Sequence, residues 1–188
     1  DGGSVHVSGA GSAARLFGVH VRNCNVDPNP SGDQIWSSRG GAAYVGDGGT
    51  LNLTSSTFTN NTASFGGSVL ANAGTVHVDG CTFRLNRAYR GGCLVVARPR
   101  ASPDGVTDVY NASYGYVRDT IFEDSQADYI GGFGYNLGSY LQMDRVIVRR
   151  ITTGQYGGIW AISGLFVGQV SPSQLFFNDT LFEDCSAQ

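Results

Sequence analysis

Four kinds of residue in this chain bring chemistry with them: paired carboxylates, histidines, cysteines and asparagines in N-x-S/T sequons. The carboxylate pairs are Glu123-Asp124 and Glu183-Asp184. A glycosidase needs two acidic groups in unlike environments, one held protonated and the other ionised, at a set separation. The histidines are His6, His20 and His77, and a metal ion would require several such ligands inside one coordination sphere. Cys24, Cys81, Cys93 and Cys185 form an even count, which in an oxidising compartment reads as two disulfides. Sequons at Asn52, Asn60, Asn111 and Asn178 are dense for a chain of this length and point to an extracellular or cell-surface setting.

What positions these residues is a repeat. Glycine doublets stand at Gly2-Gly3, Gly40-Gly41, Gly66-Gly67, Gly91-Gly92, Gly131-Gly132 and Gly157-Gly158, with successive separations of 38, 26, 25, 40 and 26 residues. The unit is about 25 residues, and the long separations mark insertions, in the first unit roughly Gly9 to Leu16 together with 28–39, and 97–113 in the fourth. Eight or nine residues before most doublets a strand-like run closes on a large apolar residue, as in Leu51 to Phe58 and Val76 to Phe83. Period-2 runs broken by Gly, Ser, Asn and Asp, with no helical period, predict strands and turns. A single unit cannot bury its apolar row, but units stacked in parallel do. The expectation is an all-β chain: one right-handed parallel β-helix of about six coils spanning residues 1–188. The chain opens on Asp1-Gly2-Gly3 and stops where another doublet falls due, so it is expected to be a segment of a longer protein, with coil faces available for head-to-tail association.

Alignment of the units gives columns. The core stack reads Val26, Phe58, Phe83, Phe122, Val148, Phe182, and the next position reads Asp27, Thr59, Arg84, Glu123, Arg149, Glu183. Arg84, Glu123, Arg149 and Glu183 alternate in sign, as do Asp119, Arg145, Asp179 and Asp124, Arg150, Asp184. Opposite charges on adjacent strands favour this register. The acidic pairs therefore read as ladder partners of Arg149 and Arg150, with no raised pKa. His20 and His77 fall in one outward column with Asn52 between them, two coils apart, too far for one metal ion to bridge. Cys24 and Cys81 likewise fall two coils apart in one column, beyond disulfide reach. Cys81 with Cys93 is the pairing that one coil allows; otherwise the thiols serve as small apolar core residues. Tyr110, Tyr114, Tyr116, Tyr129, Tyr135 and Tyr140 crowd the fourth unit, and Trp36 lies in the first insertion. Such rings either stack on sugars or anchor a partner, or they roof the wall of the solenoid; Trp36, Tyr110, Tyr114 and Tyr116 are the binding candidates.

The units resemble the repeats of chlamydial polymorphic membrane proteins, which carry a Gly-Gly-Ala-apolar element and a Phe-x-x-Asn element. Gly40-Gly41-Ala42-Ala43 matches the first, and Phe58 to Asn61 and Phe83 to Asn86 match the second. Ser125, Ile151 and Cys185 stand at the asparagine position in later units. The resemblance implies a β-helical passenger of a surface-exposed adhesin.

Composition narrows the remaining classes. All twelve basic residues are arginine and the net charge is −3, which leaves no cationic field for a nucleic acid. No apolar run is long enough to span a bilayer. The doublets are not followed by a lysine or a helix start, so they read as turn glycines and not as phosphate loops. The expected function is a non-catalytic, structural or adhesive surface glycoprotein module, without cofactor or metal. Its expected partners are copies or neighbouring repeats of itself, glycans or surface proteins. The alternative is a carbohydrate-active enzyme or glycan-binding module on the same fold.

Overall fold

The computed structural model describes residues 3–26, 38–97, 113–158, 160–163 and 173–187. Among these the chain is all β, and every strand lies in one of four wholly parallel sheets. The first sheet contains β1 (Val5–Ser8), β4 (Ala43–Gly46), β8 (Val69–Asn72), β12 (Leu94–Ala97), β16 (Gly134–Leu137) and β20 (Trp160–Ser163). The second contains β2 (Ala13–Phe17), β5 (Thr50–Thr54), β9 (Thr75–Asp79), β13 (Tyr114–Arg118), β17 (Tyr140–Asp144) and β21 (Gln174–Asn178). The third contains β3 (His20–Arg22), β6 (Thr57–Thr59), β10 (Thr82–Arg84), β14 (Ile121–Glu123), β18 (Ile147–Arg149) and β22 (Leu181–Glu183). The fourth contains β7 (Thr62–Phe65), β11 (Arg87–Arg90), β15 (Gln126–Ile130), β19 (Thr152–Thr153) and β23 (Ser186–Ala187). The chain visits the sheets in this order and then repeats the circuit, each strand pairing with its equivalent in the next round.

Alternation within each strand separates inside from outside. On β5, Leu51 and Leu53 are buried while Thr50, Asn52 and Thr54 are only half-covered. Register then stacks like on like. Val21, Phe58, Phe83, Phe122, Val148 and Phe182 are direct partners along the third sheet. The rings of Phe58 and Phe83 lie 4.8 Å apart and nearly parallel, those of Phe83 and Phe122 4.7 Å apart. That separation is the inter-strand spacing itself, so rings in successive circuits, as at Phe58, Phe83 and Phe122, fill the interior without adjustment. Each such buried side chain contributes about 2–3 kcal/mol by removal from water.

The first member of the stack is Val21 and not Val26. After Val21 the chain bends at Asn23, which has φ of 57°, and Val26 lies beyond the bend, its N–H donating to Thr62 O across from the fourth sheet. The same five-residue offset separates His20 from His77: His20 pairs with Thr57, while Arg15 is the residue that pairs with Asn52. Residues 9–16 are not an insertion either, since most of β2 lies there. The phrase Val19-His20-Val21 imitates the alternation of Leu51-Asn52-Leu53, whereas the true equivalent, Ala14-Arg15-Leu16, is less apolar. The interiors of the two other proposed insertions, at 28–39 and 97–113, fall outside the described residues. Their edges belong to the sheets: Arg39 pairs with Phe65, Ala97 with Asn72, and Ser113 O accepts from Tyr140 N–H.

The bends on either side of the third sheet are made by left-handed residues in columns. Gly18, Ser55, Gly80, Asp119, Arg145 and Asp179 precede its strands, and Asn23, Asn60, Leu85, Asp124, Arg150 and Asp184 follow them, all with φ between 45° and 62°. Asn, Asp and Gly tolerate this region because a short polar side chain, or none, avoids the Cβ clash. The glycine doublets form the corner before the first sheet, and their two members serve different ends. The first residue of each, from Gly40 to Gly157, has φ of 60–66°. The second is a close approach: a Cβ on Gly92 would sit 2.2 Å from Gly132 O and 2.6 Å from Gln126 O.

Because that contact is backbone on two sides, Gly92→Ala is expected to destabilise the chain by about 3 kcal/mol. Gly80→Ala, which has no contact nearer than 3.8 Å but keeps a φ of 60°, is expected to cost only about 1 kcal/mol. Chemical denaturation midpoints of the two variants, compared at equal m-value, check the ranking.

Candidate functional site

The outer face of the second sheet is where aromatic and polar side chains stand together. Its central column is Arg15, Asn52, His77, Tyr116, Gln142 and Phe176, in direct register. A parallel column holds Thr54, Asp79, Arg118, Asp144 and Asn178, and a third holds Thr75, Tyr114, Tyr140 and Gln174. His77 stacks on Tyr116 at 5.0 Å, and Tyr140 lies within 6.2 Å of Tyr114, Tyr116 and Phe176. Tyr114, Tyr116 and Phe176 are 41%, 36% and 51% exposed, so this is an aromatic strip facing solvent. Between the central column and the Asp79 column runs a groove of about 550 Å³. Asn52, His77, Tyr116 and Gln142 line one side and Thr54, Asp79, Arg118 and Asp144 the other, with Leu53, Val78 and Val117 between.

Arg118 donates to Asp79 at 2.5 Å and stands 3.5 Å from Asp119. Asp119 accepts from Arg145 at 2.7 and 2.9 Å, Arg145 bonds Asp144, and Asn178 Nδ2 donates to Asp144 at 2.6 Å. The chain of pairs along this edge thus crosses several circuits. Burial holds His77 below the usual histidine pKa, which keeps the ring neutral at pH 7.

A second ion lattice covers the third sheet. Glu123 accepts from Arg149 at 2.7 and 2.9 Å and from Arg150 at 3.0 Å, with Arg84 at 3.8 Å. Asp124 accepts from Arg150 at 2.6 Å and from Arg84 at 3.1 Å. Glu183 follows Arg149 in register, but among the described residues no ion pair joins Glu183 or Asp184 to the arginines: Arg149 and Arg150 turn to Glu123 and Asp124 instead, and the second acidic pair is exposed. The hydrogen bond from Arg150, seconded by that from Arg84, holds the Asp124 carboxyl below its usual pKa, and Arg145 does the same to Asp119. This is the opposite direction from the one a general acid requires.

The three histidines occupy three different sheets: His6 is on the first beside Tyr44, His77 on the second and His20 on the third. All four cysteines are free thiols. Cys24 and Cys81 do not share a column, since Cys81 precedes its third-sheet strand and Cys24 follows one. Cys93 is fully buried, and that burial pushes its thiol up to about 12. Of the sequons, Asn60 is exposed on a left-handed bend, Asn178 is exposed at the end of β21, and Asn52 is half-covered in mid-strand inside the groove. Asn111 falls outside the described residues, as do Trp36 and Tyr110 among the candidate aromatics, while Tyr114 and Tyr116 belong to the strip. The sequence reading overlooked Asp79, Arg118, Gln142 and Phe176. The alternation of Asp79, Arg118 and Asp144, four residues before the stacked core position, is the signal that finds the first two.

Compared with protein-family models, with curated proteins and with solved structures, the chain matches none.

Two outcomes follow from these environments. Asp119 and Asp124 have depressed pKa values in the folded chain, so their stabilisation is complete above the unfolded carboxylate value of about 4 and is lost as pH falls through the folded values. Thermal melts should therefore hold steady from neutral pH to about pH 5 and drop below about pH 4, and the drop should be shallower in Asp119→Asn/Asp124→Asn, which keeps bend-tolerant side chains. In native alkylation followed by mass spectrometry, half-exposed Cys24 and Cys185 should label, whereas Cys93 should label only after denaturation.

Proposed function

We propose that the chain is a right-handed parallel β-helix of about six coils, and that it works as a non-catalytic structural or adhesive module at a cell surface or outside the cell. The four-sheet circuit with residue-for-residue parallel pairing supports the architecture, as do the glycine doublets and Phe-x-x-Asn phrases shared with polymorphic-membrane-protein repeats. The reading of function rests on one observation. Of the two acidic pairs, Glu123 and Asp124 are bound by Arg84, Arg149 and Arg150 and Glu183 and Asp184 stand exposed, while the exposed rings and amides are gathered on the second sheet. Charge is spent on register, and recognition chemistry faces outward. Exposed sequons at Asn60 and Asn178 agree with a glycoprotein of the cell exterior. Copies of the same chain, surface proteins and glycans are its proposed partners.

Purified chain incubated with pectate, alginate and neutral polysaccharides should release neither reducing ends nor unsaturated uronates between pH 4 and pH 9, while immobilised chain should retain cells or extracellular matrix. Turnover by the wild type that Glu123→Gln abolishes would replace this reading with an enzymatic one.

A further inference from the structure

The groove on the second sheet narrows the choice among binding partners. Resting on the reading of the chain as a binding module, we propose that this groove is a site for a neutral saccharide.

Size and direction come first. Its volume of about 550 Å³ lies in the range of small-ligand sites. It crosses β5, β9, β13 and β17, so it extends over three inter-strand steps, about 14 Å. A pyranose unit in an extended glycan advances by close to one such step. Successive side chains of the central column, Asn52, His77, Tyr116 and Gln142, therefore stand at the spacing of successive sugars.

The polar groups agree. The Asn52 amide, both His77 ring nitrogens and Gln142 Nε2 have no hydrogen-bond partner among the described residues, and all four line the groove or its rim. Together they supply donors and acceptors, which is what hydroxyl groups require. Tyr116 and His77 each cover one face of the other, so they offer the groove their ring edges as a border beside its polar groups.

Charge then excludes rivals. Among the residues lining the groove the one arginine, Arg118, is already bound to Asp79 and faces Asp119, and His77 is neutral. Within the lining, therefore, no cation is left over for a sulfate, a uronate or a phosphate backbone, and Arg15, next to Asn52 in the column, stands one strand beyond it. Nor does the groove accept an added peptide strand, since β5, β9, β13 and β17 are each paired on both sides.

The test uses the chain from a host that does not N-glycosylate, so that Asn52 stays free. Calorimetric titration is run with neutral gluco-, manno- and galacto-oligosaccharides beside sulfated and uronate oligosaccharides. At least one neutral series should bind, with little dependence on salt. Tyr116→Ala and Gln142→Ala should each weaken it about tenfold or more at unchanged melting temperature. Tyr156→Ser, at an exposed ring beside Tyr129 of the fourth sheet, should leave it unchanged. If Tyr116→Ala fails to fold, Gln142→Ala and Asn52→Ala still decide the matter. The inference is overturned if no neutral series binds, if only anionic glycans or only a protein bind, or if the groove variants bind as the wild type does. Cleavage of a bound glycan would sink the non-catalytic reading and leave the saccharide site standing.

Discussion

The structure depends on parallel pairing held residue for residue from one circuit to the next. Phe83 lies between Phe58 and Phe122, and Glu123 lies between Arg84 and Arg149, because the same register operates on both faces of the third sheet. A slip by one residue would turn every inward ring outward, which makes the buried face the stronger determinant of register. The ion pairs add selectivity at less energy, since exposed pairs of this kind each contribute about 0–1 kcal/mol. Inside, register converts a repeated phenylalanine into a continuous stack; outside, it converts alternating charges into a lattice. Neither would exist in a single circuit.

Corners limit how far a sequence can vary under that constraint. Where the chain leaves β3, β6 and β10, the freed backbone N–H is met by a side chain from the next circuit. Asn61 N–H donates to Asn86 Oδ1 and Asn86 N–H to Ser125 Oγ, while Asn86 Nδ2 reaches Phe58 O. At the preceding bend, the Thr120 hydroxyl donates to Arg118 O and accepts from Cys81 N–H. Phe-x-x-Asn is thus one physical unit: the ring fills the interior, the residue before the asparagine takes the left-handed bend, and the buried amide bridges two circuits. Leu85, Arg145 and Arg150 occupy left-handed positions without a short polar side chain, at a cost of about 1–2 kcal/mol each. For the two arginines, two-nitrogen contacts with Asp119 and with the Glu123-Asp124 pair offset part of that strain.

Much of this was legible because a repeat supplies its own alignment. The doublets, the phenylalanine column and the alternating charges each reported the same period. Legibility failed in the first circuit, where a weakly apolar Ala14-Arg15-Leu16 and a strongly alternating Val19-His20-Val21 competed for one alignment and the wrong one won. Periodicity of two cannot tell a five-residue strand of the second sheet from a three-residue strand of the third; only the left-handed bends at Gly18 and Asn23 do so. The candidate site was half legible. Tyr114 and Tyr116 stood out as a cluster, but Gln142 and Phe176 join them only through register, one and two circuits further on.

Why recognition should fall to the second sheet follows from what the others already do. The first sheet's outward residues Tyr44, Leu70 and Val95 are buried in an apolar cluster with Phe65 and Ala97. The third sheet's outer face is occupied by paired ions around Glu123 and Asp124. On the fourth, Tyr89 stacks on Tyr129 and the Arg90 guanidinium lies 5.8 and 5.5 Å from their ring centres, so those rings are engaged with each other and with a cation. Every strand of the second sheet has five residues, which place three side chains per strand outward and leave room for a central column between its flanking ones. Among the described residues, only there do open amides, a neutral imidazole and exposed rings share one surface, and their spacing is fixed by the same backbone pairing that builds the core. A ligand held on that surface would therefore read the period of the fold itself.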